Sequence, residues 1–219
     1  MKVKLSMPEH LGDITLRQYK RYDRIINTNK EDANSERFVQ TKMVEIFCGL
    51  TYEQAAAMKL IDFNRVVTEL YDILIQQPKL VQTFKMGDRE FGFIPNLEEM
   101  TFGEYIDLDT YITKMQEMEK AMSVLYRPIT QKIKDKYIIQ EYQGDLLHDE
   151  MLNMPMDAVV SSIVFFYDLG IELSNVMMNY TNNPQLKAYQ QQLMDSQKSG
   201  GGFNPYTHWH TEILGDLNK

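Results

Sequence analysis

The residues best suited to chemistry in this sequence lie in one short segment, His208–Glu212, which reads HWHTE. On a β-strand, where alternate side chains share a face, His208, His210 and Glu212 would point the same way. Imidazole and carboxylate groups together can bind zinc or another divalent ion. On a helix only His208 and Glu212 would align. A metal-dependent enzyme that uses this cluster is therefore one hypothesis for the chain.

The residues that precede this segment favour a different role. The segment Ser199–Gly202, which reads SGGG, is predicted to be a flexible hinge. A metal site needs ligands that rigid elements hold in place, and a glycine hinge does not supply them. We therefore favour a tail, Phe203–Lys219, that docks as a short helix or anchors to a neighbouring protein through its aromatic residues.

Two groups of acidic residues are further candidate sites. Asp107 and Asp109 stand two apart on a predicted helix, so they point to different sides and do not make an acid/base pair. A second group could hold a hard cation through its oxygen atoms, but it lacks the spacing of an EF-hand and is predicted to be a solvated loop. Its members are Glu141, Asp145, His148, Asp149 and Glu150.

The single cysteine, Cys48, follows Phe47 at the apolar end of a predicted helix. This position predicts a buried thiol that packs and does not react. The sequence contains no G-x-G-x-x-G or G-x-x-x-x-G-K-[ST] phosphate loop and no G-x-S-x-G nucleophile elbow. We therefore predict no catalytic residue, no cofactor-binding residue and no metal ligand, and we expect a protein that is not an enzyme.

The overall charge also limits the partners. The chain has 23 basic and 31 acidic residues, which gives a net charge of −8. Nonspecific binding to nucleic acid or to an anionic membrane requires clustered Lys and Arg, so this balance disfavours both. One cysteine allows no intramolecular disulfide and suits a reducing compartment. No signal-peptide core follows Met1, and the most apolar run, Ala158–Tyr167, is too short to span a membrane. These features favour a soluble protein of the cytosol, or one assembled there.

The clearest structural signal is a helix-start motif that occurs twice. Thr15 with Gln18, and Thr101 with Glu104, have the spacing of a capping box, in which two side chains satisfy backbone donors at the start of a helix. Each box is flanked by an apolar pair that can close as a hydrophobic staple: Ile14 with Tyr19, and Met100 with Tyr105. The two threonines are 86 residues apart. Either an internal duplication or chance explains the match.

Apolar spacing and breakers predict the remaining elements. Val3–Met7 is a short strand or an arm. The first predicted helices are Thr15–Asn27, a helix capped by Ser35 that runs to Cys48 with a stop at Gly49, and Thr51–Lys59 with a third capping box at Thr51 and Gln54. They are followed by a helix capped by Asp62 and closed by Pro78, Thr101–Lys114 with a continuation to Leu125, Asp157–Tyr180 after Pro155, and Pro184–Gln197. Two β-hairpins are predicted, Leu80–Ile94 with a turn at Gly87-Asp88 and Ile129–Tyr142 with a turn near Lys134-Asp135. Arg127-Pro128 separates helix from hairpin, and Asp145–Met154 is predicted to be irregular.

These elements predict a mainly α fold with minor antiparallel β hairpins, in which two helical lobes are joined by hairpins. The predicted domains are an N-terminal helical lobe at residues 1–79, a hairpin plus helical lobe at residues 80–198, and a glycine hinge with the C-terminal tail at residues 199–219.

Four motifs resemble those of a known group of proteins. They are D-I-T-L-x-Q-Y at Asp13–Tyr19, F-x-x-G-D at Phe84–Asp88, M-T-F-G-E-Y-I-D at Met100–Asp107 and L-Y-R-P-I at Leu125–Ile129. Together they resemble uncharacterised proteins encoded in the morphogenesis regions of tailed bacteriophages, some of which are called tail assembly chaperones or virion proteins. The similarity covers about residues 8–170. It implies a non-enzymatic assembly or structural role and carries over no functional residues.

The resemblance leaves three roles open: a tail assembly chaperone, a component of the head–tail region, or a protein packaged in the particle and ejected with the genome. Each would act by protein-protein contacts with other phage structural or assembly proteins, in the virion or in the host cytoplasm, without a cofactor. The alternatives are the metal-dependent enzyme that uses His208, His210 and Glu212, and a regulatory module that binds a host protein.

Overall fold

The structure is a computed structural model that describes residues 5–29, 35–134 and 136–181. Its helices are α1 (Leu16–Asn29), α2 (Glu36–Cys48), α3 (Tyr52–Ala56), α4 (Leu60–Leu74), α5 (Phe102–Tyr111), α6 (Met118–Leu125), α7 (His148–Met151) and α8 (Met156–Thr181). Its strands are β1 (Thr83–Met86), β2 (Arg89–Phe93), β3 (Tyr126–Ile133) and β4 (Lys136–Ile139). The predicted class, mainly α with minor antiparallel β, is confirmed.

The chain divides into two compact units, residues 1–163 and residues 164–219, with the division inside α8. Both sides of the predicted domain boundary at residue 79 belong to the first unit. The predicted boundary at residue 198, the helix predicted at Pro184–Gln197, and the hinge and tail lie outside the described residues. In the described part of the second unit, the rings of Phe165 and Phe166 meet edge to face at 5.3 Å. Within the described residues, no helix is long and apolar enough to cross a membrane.

The three predicted capping boxes all form. In each box the threonine hydroxyl accepts a hydrogen bond of 3.3 Å from the backbone N–H of the residue three positions later. In return, the side chain of that later residue accepts a hydrogen bond of 2.6–2.9 Å from the backbone N–H of the threonine. The pairs are Thr15 with Gln18, Thr51 with Gln54, and Thr101 with Glu104. Local sequence therefore fixes these helix starts. The internal duplication stays a prediction.

Two predicted helix caps are wrong. Ser35 precedes α2, but its hydroxyl donates to the carbonyl of Asn29 at 2.9 Å and makes no cap hydrogen bond. Asp62 does not cap α4, because the helix begins earlier, at Leu60. Asp62 instead lies in the first turn, where a carboxylate interacts favourably with the helix dipole, and it forms an ion pair with Arg65 at 3.3 Å. The predicted stop after α2 is confirmed, since Gly49 has φ +65°, a conformation that favours glycine.

The predicted helix from Thr101 with a continuation to Leu125 is two helices. Between α5 and α6, Lys114 is extended and a short 3₁₀ turn follows at Met115–Glu117. The turn is held against α1, because the amide of Gln116 donates to the carbonyl of Lys20 at 3.2 Å and to the carboxylate of Asp23 at 2.8 Å. A contact with a distant helix thus overrides the local helical pattern.

Two further segments of the first unit differ from their predicted structure. Leu5–Met7, the described part of the segment predicted as a strand or arm, has no regular structure. The segment Asp145–Met154, predicted to be irregular, contains the end of a 3₁₀ turn at Gly144–Leu147 and the whole of α7. The long helix predicted after Pro155 is confirmed as α8, which begins one residue earlier than expected.

The four strands form one antiparallel sheet in the order β1-β2-β3-β4, and a hairpin forms at both predicted places. The second hairpin begins earlier than predicted: β3 starts at Tyr126, so Arg127-Pro128, predicted to separate helix from hairpin, lies inside the strand. One face is lined by aromatic rings, with Phe84 stacked 5.6 Å from Phe91, and with Phe84 and Phe93 at 5.1 and 5.3 Å from Tyr126. The hydroxyl of Tyr126 donates to the carbonyl of Val81 at 2.7 Å. This face therefore supplies the apolar core of the sheet.

The opposite face has a close approach that only glycine permits. A Cβ added to Gly92 of β2 would lie 2.5 Å from the ring of Tyr137 and 3.1 Å from Ile129. The Tyr137 ring is held by its hydroxyl, which donates to the carbonyls of Phe93 at 2.8 Å and Gln82 at 3.2 Å. The Tyr137 ring cannot move away from a side chain at position 92 without losing these hydrogen bonds.

We predict that Gly92→Ala lowers the free energy of unfolding by roughly 1–3 kcal/mol, because the methyl group overpacks the sheet against Tyr137. Gly103→Ala is the matched control: its Cβ would meet no atom within 4 Å, and it lies in α5, where alanine is the better helix former. The control should be neutral or stabilising by up to about 1 kcal/mol. Urea denaturation measures both, and equal effects of the two variants would contradict this packing.

Candidate functional site

The structure bears on some of the predicted sites and not on others. His208, His210 and Glu212 lie outside the described residues, so both interpretations of that segment stay predictions. In the second acidic group, Glu150 forms an ion pair with Arg89 of β2. Across the ranges 5–29, 35–134 and 136–181, no three His, Cys, Asp or Glu side chains are placed to hold a metal ion.

Cys48 is buried at the end of α2, as predicted. Burial raises the pKa of its thiol to about 11. Because the thiolate is the reactive form, a thiol with this pKa is almost entirely protonated near neutral pH. The residue therefore packs in the core of the helical part, where Phe47 beside it meets the ring of Tyr22 at 5.2 Å.

The most concentrated set of buried ionisable groups joins α5 to the sheet. Glu104 and Arg127 form an ion pair at 2.8 Å, with their side chains only 5% and 7% exposed. Glu104 uses one carboxylate oxygen for Arg127 and the other for the backbone N–H of Thr101, which donates to it at 2.6 Å. One turn further along α5, Asp107 accepts a hydrogen bond of 2.7 Å from the hydroxyl of Tyr142. We call these five residues the Glu104 cluster.

The environment of this cluster shows what its groups can do. Burial lowers the pKa of Arg127, and the carboxylate of Glu104 opposes that shift by favouring the charged guanidinium. The Nε of Arg127 is buried and has no hydrogen-bond partner among the described residues. Burial and the neighbouring carboxylate of Asp107 both raise the pKa of Tyr142. Glu104 and Arg127 face each other and have almost no surface open to solvent, while Asp107 and Tyr142 are partly exposed. These contacts hold α5 against β3 and against the segment after β4.

Two of the five residues in the Glu104 cluster, Thr101 and Glu104, are predicted from sequence as a capping box. Arg127 stands out in the sequence only as part of a helix-breaking dipeptide. No local pattern signals a pair between a helix and a strand that are separated by another helix. The same holds for the largely buried ion pair of Lys20 in α1 with Glu119 in α6, whose side chains are 11% and 15% exposed.

Exposed apolar residues form a second feature, on the edge of α2, α3 and α4. Lys42 lies between two aromatic rings, with its Nζ 5.6 Å from the ring centre of Phe38 and 5.9 Å from that of Tyr52. Leu60 and Ile61 stand at the start of α4. The apolar members are between 45% and 77% exposed. We call these five residues the α2–α4 face.

The α2–α4 face is held by contacts beneath and beside it. Arg37, next to Phe38, donates to the side chain of Asn64 at 3.3 Å and so joins α2 to α4 one turn after Leu60. The Nζ of Lys42 also pairs with Glu45 at 2.5 Å. Large exposed apolar side chains on adjoining elements are typical of protein contact sites. The four apolar side chains of the α2–α4 face are therefore exposed in the fold as it stands.

Comparisons with known proteins give no family for this chain. No protein-family model, no curated protein and no solved structure matches it.

We predict that Arg127→Met lowers the free energy of unfolding by about 3–5 kcal/mol, because it leaves the Glu104 carboxylate buried without its counter-ion. Lys132→Met is the matched control, since Lys132 lies in the same strand and pairs with Glu90 in an exposed position. Its effect should be much smaller. Chemical denaturation measures both, and a similar small effect at the two positions would show that the Glu104 pair is not a buried constraint.

We also predict that Cys48 reacts with a thiol reagent only when the protein unfolds. Its burial and raised pKa leave little accessible thiolate in the native state. Because it is the only cysteine, the absorbance change with a chromogenic disulfide at pH 8 reports this residue alone. Labelling in native buffer at the rate seen in denaturant would contradict its burial.

Proposed function

We propose that this chain is a non-enzymatic virion or virion-assembly protein of a tailed bacteriophage, and that it acts through protein-protein contacts. The motifs at Asp13–Tyr19 and Met100–Asp107 supply the resemblance, and the α2–α4 face is the single observation on which the proposal depends. Its partners are other phage structural or assembly proteins.

The chemistry of the α2–α4 face supports a polypeptide partner. Phe38 and Tyr52 present rings, and Leu60 and Ile61 present branched aliphatic groups, all largely open to solvent. Burying such groups against a partner is the main favourable term in protein association. Aromatic residues are also enriched among those that contribute most to binding. The ammonium of Lys42 between the rings adds a charge that favours an acidic residue on the partner.

The use of ionisable residues in the first unit supports the non-enzymatic part of the proposal. The buried charges at Glu104 and Arg127, and at Lys20 and Glu119, pair with each other across elements. Buried pairs of this kind fix the relative positions of helices and strands. The exposed apolar residues are then left to make contacts outside the chain.

Three roles remain within the proposal: a tail assembly chaperone, a head–tail region component, and a protein packaged in the particle. Quantitative mass spectrometry of purified virions separates them. A fixed copy number in mature particles supports the structural or packaged roles, and presence in infected cells with absence from particles supports the chaperone role. Absence from particles, together with no phage protein recovered with the chain from infected cells, would overturn the proposal.

We predict that the double variant Phe38→Ser/Leu60→Ser co-purifies with at least about tenfold less of its phage partner than the wild-type chain does. The reason is that losing one hot-spot side chain costs about 2 kcal/mol of binding free energy. Leu146→Ser is the control, since Leu146 is as exposed but lies on a different element. Both changes are at the surface and should alter stability little. Affinity purification from infected cells with mass spectrometry is the measurement. Equal recovery by the double variant and by the wild-type chain would exclude the α2–α4 face as the contact site.

A further inference from the structure

The outer edge of β4 is an open edge of the sheet. Among the strands of the described residues, β4 is the last in the order β1-β2-β3-β4 and pairs only with β3. The N–H of Gln140, just after β4, donates to the carbonyl of Pro128 in β3 at 2.8 Å, so the backbone groups of Gln140 face β3. Backbone groups alternate between the two sides of a strand, so those of Tyr137 and Ile139 point away from β3. No backbone partner for them is found within the described residues.

The tip of the same hairpin extends past the rest of the sheet. Pro128 of β3 pairs with Phe91 of β2, so the residues of β3 beyond Thr130 have no partner in β2. Ile133 and Ile138 on this tip are 73% and 58% exposed. The tip therefore presents aliphatic side chains beside an open backbone edge.

The charge of the hairpin differs from that of the whole chain. Residues 126–139 carry a net charge of +3, although the chain as a whole carries −8. Lys132 pairs with Glu90, whereas Lys134 and Lys136 have no ion-pair partner within the described residues. Two exposed ammonium groups thus flank the open edge.

We propose that the outer edge of β4 binds an extended acidic segment of a partner protein, which adds to the sheet as a fifth strand. Tyr137 and Ile139 supply the backbone hydrogen bonds of the new ladder. Lys136 and Ile138 share one face of β4, and Ile133 lies beside Lys136 on that face. Lys134 and Lys136 therefore pair with carboxylates of the segment, and Ile138 packs against the aliphatic part of the side chains on the same face. This mode is β-strand addition, in which main-chain bonds give affinity and side chains give specificity.

Charge complementarity selects this occupant over two others. A second copy of the chain would bring an equally positive hairpin to the same edge, and like charges oppose that pairing. Residues 182–219 of this chain contain three basic and three acidic residues, so they offer no net charge for the lysines to attract. An acidic segment of another protein can form ion pairs with the lysines and hydrogen bonds with the open backbone edge of β4.

The proposal rests on the proposed function only in taking the ligand to be a polypeptide, and its test needs no phage. The full chain is titrated into a short, fluorescently labelled peptide of alternating Glu and Thr, and anisotropy gives the Kd. Lys134→Glu/Lys136→Glu should raise the Kd about tenfold or more. Lys59→Glu/Lys79→Glu, with the same change in net charge at two other exposed lysines, should bind as the wild type does.

Amide hydrogen exchange by NMR then tests the geometry. In the complex, exchange at the N–H groups of Tyr137 and Ile139 should slow by about tenfold or more, because they gain partners. Binding without this protection would overturn strand addition, and equal binding by both lysine variants would overturn the charge pairing. Tighter binding of duplex DNA than of the peptide at the same lysines would assign the hairpin to nucleic acid instead. If the peptide binds as proposed while virions and infected cells give no phage partner, the proposed function alone fails.

Discussion

One carboxylate, that of Glu104, holds the start of α5 in place. One of its oxygens closes the capping box with Thr101, and the other pairs with Arg127 of β3. The helix entrance and the sheet are therefore fixed by the same group, and neither can shift without exposing a buried charge. The start of α1 is tied in a comparable way to the segment before α8, where the N–H of Leu16 donates to the carbonyl of Met154 at 3.0 Å. The capped starts of α1 and α5 thus each hydrogen-bond to a segment that is distant in the sequence.

The features that sequence could predict are those decided within a few residues. The capping boxes at Thr15, Thr51 and Thr101, the turn at Gly87-Asp88, and the stop at Gly49 all formed as predicted, since each depends on near neighbours. The burial of Cys48 followed from an apolar helix end in the same way.

The features that sequence could not predict depend on contacts between distant segments. Gln116 binds α1, and the break between α5 and α6 falls at the turn that carries it, although the local pattern continued as a helix. Arg127 finds Glu104 across an intervening helix, so neither residue signals the pair. The α2–α4 face could not be predicted either, because a sequence does not distinguish exposed aromatic residues from buried ones. Its position depends on how α2, α3 and α4 pack, which the hydrogen bond from Arg37 to Asn64 helps to fix. Within a mainly apolar core, the Glu104–Arg127 pair is buried, while the four apolar side chains of the α2–α4 face are exposed to solvent.

A double-mutant cycle at positions 104 and 127 tests the central constraint most directly. The free energy of unfolding is measured for Glu104→Gln, Arg127→Met and the combined variant; glutamine keeps the capping box and removes the charge. If one carboxylate holds the helix start against the sheet, the combined variant should recover part of the single losses, with a coupling energy of about 1–3 kcal/mol. If the loss in the combined variant equals the sum of the two single losses to within about 0.5 kcal/mol, the two residues act independently, and that result would contradict this account.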